Sequence, residues 1–158
     1  MESIQELRIG AGSLSIDGRD VGFTTEDGVS VSTEPNVHLH NTGKYGTSPV
    51  KATLLGREIT LEVAMAQHTF DNITDAYAGA VQADGKIKLG GVAGVELEGK
   101  TLVLTPFDGT PSWTFRNAVP TGSTEAHYNT NDERIISVEF TALVDVDAPV
   151  DENQVYIS

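Results

Sequence analysis

Two stretches of the chain alternate apolar and polar residues with a period of two, the signature of a half-buried strand whose successive side chains point to opposite faces. In residues 57–67, Ile59, Leu61, Val63 and Met65 fall on one face and Glu58, Thr60, Glu62 and Ala64 on the other. In residues 136–146, Ile136, Val138, Phe140, Ala142, Val144 and Val146 alternate with Ser137, Glu139, Thr141 and Asp145. These two strands are expected to anchor the core. Shorter strand patterns occupy residues 13–16, 19–23, 29–33, 81–83, 86–89, 100–105 and 112–116. Asp17-Gly18, Asp84-Gly85 and Asp108-Gly109 sit among them and tolerate the positive φ that tight turns demand. The chain reads as mainly β, with antiparallel, meander-like pairing.

One segment departs from this pattern and predicts a short helix over about 69–78. Thr69 can cap it, Asp71 stands in the first turn where the helix dipole favours an anion, and Gly79 can close it. Phe70, Ile73 and Tyr77 would share its buried face. So short a helix is marginal alone and has to be held by packing on a sheet.

Charge alters the picture because it is unevenly placed. With 23 acidic and 10 basic side chains, the formal charge is -13. Such a field opposes any binding of nucleic acid through its phosphates. Residues 35–57 nevertheless contain no acid and carry three bases, Lys44, Lys51 and Arg57. Within them, residues 35–49 read as a loop longer than the usual four to six residues or so, and long loops are commonly functional. A positive excursion on a negative body favours contact with another copy of that body. The alternative is a solvated hairpin excursion without a partner.

The 158 residues suit one domain, here residues 1–147, followed by an acidic C-terminal arm, 148–158, expected to order only against a neighbour. There is no cysteine, so no disulfide or thiolate metal site can form. The charged opening residues and the lack of a long apolar run imply a soluble protein made in the cytoplasm, without a membrane partner.

Few motifs point to chemistry. Residues 94–101 match the spacing of a phosphate loop, yet an apolar strand pattern follows instead of a helix, and Glu96 and Glu98 would face the anion. His38 and His40 can share one side of an extended segment, with His68 or His127 as possible further ligands, but two histidines make an incomplete site. Asn72-Ile73-Thr74 has the form of a glycosylation sequon inside the expected helix. Trp113 and Phe115 alternate on a strand as core residues do, or as a sugar-binding platform would. No nucleophile elbow is present. The expectation is a protein without enzyme activity, cofactor or metal.

The N-terminal block from Gly12 to Phe23, the Gly28-Val29-Ser30-Val31 strand, and Val63-Ala64-Met65-Ala66-Gln67-His68-Thr69-Phe70 entering the helix resemble bacteriophage tail tube, or major tail, proteins. The resemblance is one of feature order and covers most of residues 10–147. Members of that family often have an acid near position 67, where this chain has glutamine. The resemblance implies an antiparallel β-sandwich or barrel that closes into hexameric rings, the rings stacking into a virion tail tube through which DNA passes without specific binding. The implied partners are further copies of the chain and other tail proteins.

On that basis the candidate channel-lining residues are Glu58, Glu62 and Glu139, on the polar faces of the two long strands. The candidate contacts between rings or subunits are Asn36, His38, His40, Lys44, Tyr45 and Lys51, together with the N-terminal arm. The alternatives are a ring-forming terminator or adaptor, the tube of a phage-derived injection machine, and a carbohydrate-binding β-sandwich.

Overall fold

The computed structural model describes residues 12–22, 24–66, 69–106, 111–128 and 135–158. The N-terminal arm, Phe23, His68 and the Asp108-Gly109 turn lie outside them. In chain order the elements are β1 (Gly12–Ile16), β2 (Arg19–Asp20), β3 (Thr24–Asn41), β4 (Pro49–Met65), α1 (Phe70–Ala76), β5 (Val81–Ala83), β6 (Lys86–Lys88), β7 (Lys100–Pro106), β8 (Trp113–Pro120), β9 (Glu125–His127), β10 (Ile135–Ala142) and β11 (Val155–Ile157). The fold is mainly β and antiparallel. One nine-stranded sheet runs β2-β1-β7-β8-β10-β4-β3, with β9 beside β10 and β11 beside β8, while β5 and β6 form a separate hairpin. β1 and β3, near opposite ends of that order, come back into contact, so the sheet curls around a single core.

The tight turns follow from their residues. Asp17 and Gly18 have φ of 51° and 83°, and Asp84 and Gly85 have φ of 56° and 70°. Two successive positive φ values define the hairpin turn whose twist matches the strands it joins. They connect Ile16 to Arg19 and Ala83 to Lys86 as paired residues.

Alternation decides the core. Ile59, Leu61, Val63 and Met65 of β4 are buried together with Ile136, Val138, Phe140 and Ala142 of β10, joined by Leu14, Ile16, Leu102 and Phe115. Trp113 packs half-buried against this cluster. The second long strand ends earlier than its alternation suggests. Val144 and Val146 are 48% and 86% exposed. Leu143 still donates its amide along the β8 ladder to the Asn117 carbonyl, and the chain then turns: the Asp147 amide donates to Asp145 Oδ1 and the Ala148 amide to the Asp145 carbonyl. The last residues do not wait for a neighbour. β11 pairs with the Trp113–Phe115 half of β8, on a strand whose Ala118–Pro120 half is taken by β10. Arg116 fastens the segment through Nε to the Glu152 carbonyl and through an ion pair with its carboxylate at 2.9 Å.

The helix lies where expected, with the Thr69 hydroxyl accepting from the Asn72 amide as N-cap. Its buried face differs: Asn72, Asp75 and Ala76 are buried, Ile73 and Tyr77 pack half-buried against the core, and Phe70 is 57% exposed. The reason is polar. Arg19 donates to Asn72 Oδ1 at 2.6 Å and to Asp75 Oδ2 at 2.5 Å, Lys100 donates to Asp75 Oδ1 at 2.5 Å, and Asn72 Nδ2 donates to the Val21 carbonyl. This seam ties the helix to β2 and β7, and buried polar groups are tolerated because each has a partner.

The largest departure is in residues 35–49. Residues 35–41 continue β3, Pro49 already belongs to β4, and only 42–48 form the tip between them. The two strands are 18 and 17 residues long, and among the described residues no other strand covers the two-stranded arm that their outer halves form.

Candidate functional site

The β3–β4 ladder and β10 carry two surfaces of opposite character on one side of the sheet. Since the odd-numbered residues of inner β4 point into the core, Glu58, Thr60 and Glu62 point out. The ladders place Glu62 opposite Glu139 on β10 and opposite Ser30 on β3, and Glu58 opposite Glu34. The structure therefore brings all three candidate channel residues onto one outer face and adds Glu34. Among the described residues none of these four carboxylates is in an ion pair. Glu62, Glu125 and Glu139 border a groove of about 340 Å³ with Ser30, Ser123 and Ser137.

Like charges directly opposite each other on a ladder are destabilising, so this face does not serve the stability of the isolated protomer. Alternation made Glu58, Glu62 and Glu139 visible in the sequence. Glu34 was missed because the apolar alternation of its strand stops at Val31 and the strand pattern ends at residue 33, and Glu125 because a three-residue strand is too short to show one. Gly122 was also missed: a Cβ there would come within 2.9 Å of Glu139 Cβ, so a glycine leaves room for that carboxylate.

Further out the same ladder changes sign. His38 pairs with Thr53 and His40 with Lys51, while Asn36 pairs with Gly56 at the base of the arm. The His38 and His40 rings meet edge to face with centroids 4.6 Å apart, and His40 Nε2 lies 2.9 Å from Thr53 Oγ1. Lys44 and Tyr45 occupy the tip, the ammonium 5.4 Å from the ring centroid. All six candidate contact residues thus sit on the arm, where among the described residues no other strand reaches them. Among the described residues no three histidine or acidic side chains converge as a metal site would need.

The reverse face of the arm is apolar. Val37 and Leu39 lie opposite Leu54 and Ala52, and Val37, Leu39 and Leu54 are 42%, 55% and 51% exposed. On β3 this face continues the row of Val29 and Val31, which pack on the core. The register shifts between Asn36 and Val37, leaving Leu55 without a partner in the ladder. That extra residue moves β4 from odd to even, which keeps Leu54 and Ala52 on the apolar side. Alternation searches on β4 alone lose the strand here for the same reason.

The remaining motifs are absorbed by the fold. The Gly94–Thr101 segment enters β7 rather than a helix, and Lys100 is engaged by Asp75. Among the described residues no helix is long and apolar enough to cross a membrane. Compared with protein-family models and with curated proteins, the chain matches none.

Proposed function

We propose that the chain is the tube subunit of a bacteriophage tail: copies close into hexameric rings, the rings stack, and the acidic outer face of β4 and β10 lines a passage for DNA in the virion. The observation that carries this reading is the row of Glu34, Glu58, Glu62 and Glu139 on one face, with no ion-pair partner among the described residues, beside a protruding basic arm. A conduit should repel phosphate at close range, and carboxylates do so over about a Debye length, roughly 8 Å at physiological salt. Ring closure also suits an antiparallel sheet whose terminal strand β3 leaves backbone groups open, because pairing or covering an edge between copies removes an aggregation hazard. In this reading DNA is cargo, without specific contacts, and the other partners are tail proteins.

Electron microscopy of the purified protein at rising concentration tests the proposal. Stacked tubes with the three carboxylates of Glu58, Glu62 and Glu139 facing the bore are the expected result. Single rings would favour a terminator or adaptor, a cationic bore would remove the conduit role, and a persistent monomer would remove self-assembly altogether.

A further inference from the structure

Among the described residues no strand covers the apolar face of the arm, and the charge of the arm restricts what can cover that face. Residues 35–57 carry three bases and no acid, so two arms packed face to face would set like charges together. The occupant has to be acidic and apolar at once. Among the described residues two exposed segments combine these properties. In residues 89–98, Val92 and Val95 are exposed, but the two acids Glu96 and Glu98 are flanked by Lys88 and Lys100. In residues 143–152, Val144, Val146 and Val150 are 48%, 86% and 88% exposed among four acids and no base. Of those acids, Glu152 is held by Arg116, while Asp145, Asp147 and Asp151 have no cation among the described residues.

We infer that the arm of one copy docks on the bend at residues 143–152 of a second copy, Val37, Leu39 and Leu54 covering Val144 and Val146, with Lys44 at the tip of the arm beside Asp147 and Asp151. The inference rests on the self-assembly reading and names its contact. Because the two patches differ, each copy offers a free arm and a free bend after one contact has formed. Such a head-to-tail contact generates a ring or a continuing stack, whereas a self-complementary patch would stop at a dimer. The exposed valines also acquire a reason: they are the apolar half of a surface that is unfinished in a single chain.

The absence of cysteine makes the contact directly testable. Leu39→Cys and Val146→Cys, made as separate variants and mixed in equal amounts under mild oxidation, should give a mixed disulfide dimer in large excess over either variant alone. Leu39→Cys mixed with Val92→Cys is the comparison, and predominant cross-linking there would overturn the inference in favour of the other segment. Tubes or rings without the 39–146 cross-link would overturn it while leaving self-assembly intact. A protein that stays monomeric at high concentration would overturn both.

Charge gives a second readout. Lys44→Glu should reduce the sedimenting fraction about ten-fold or more, and adding Asp147→Lys with Asp151→Lys should restore it. Failure of that restoration, with circular dichroism showing an intact fold, would count against the docking.

Discussion

Glu62 and Glu139 stand directly opposite each other on adjacent strands, both on the outer face, above the buried pair Leu61 and Phe140. The protomer accepts a repulsive pair on the two strands that hold its core together. Neutralising one member, Glu62→Gln, should raise stability by about 0.2–1 kcal/mol, seen as a higher denaturant midpoint with an unchanged slope. If the acidic face lines a passage, the triple variant Glu58→Lys, Glu62→Lys and Glu139→Lys should still assemble but retain added DNA against nuclease.

The polar seam under the helix should be expensive to break. Arg19→Met leaves Asn72 Oδ1 without its guanidinium partner and Asp75, 8% exposed, with Lys100 alone. A loss of about 2–3 kcal/mol is expected by denaturant unfolding. Lys100→Met should cost less, because Arg19 still satisfies both Asn72 and Asp75.

The arm should be dispensable for folding and required for assembly. Replacing residues 36–56 by a two-residue Asn-Gly turn joins Pro35 to Arg57, which are already paired, and removes side chains that touch little else. Protomer stability should stay within about 0.5 kcal/mol, measured by chemical denaturation. Tubes should be absent by electron microscopy.

Gly122 offers a subtler probe. Gly122→Ala places a methyl group against Glu139, so the carboxylate and its strand have to shift. A destabilisation of about 1–2 kcal/mol is expected. Against a Glu139→Gly background, which removes the Cβ it would strike, the same substitution should cost less, because the loss and its relief act at one contact.

The core and its turns were legible because each obeys a local rule. Alternation marks Ile59 to Met65 and Ile136 to Ala142, and an Asp-Gly pair marks each two-residue turn. Three features escaped, for separate physical reasons. The arm is a strand without a buried side, so Pro35, Asn36 and His38 carry no burial signal, and the extra Leu55 interrupts what alternation remains. The end of β10 was hidden because Val144 and Val146 keep the period after the backbone has turned away. The helix face was misplaced because Asn72 and Asp75 are buried by hydrogen bonds from Arg19, a residue 53 and 56 positions away in sequence. Periodicity reports solvent contact and is blind to distant ionic partners. The acidic face was visible at Glu58, Glu62 and Glu139, whereas its opposition to Glu34 required the register.

Leu55 is one residue more than the ladder needs. Excising it would leave Asn36 opposite Gly56 and Val37 opposite Leu54 in unbroken alternation, with Leu54 and Ala52 still on the greasy side and Thr53 and Lys51 still on the histidine side. What the extra residue adds is a local bend and twist, so a chain without it should keep both faces of the arm and change only the direction in which the arm projects.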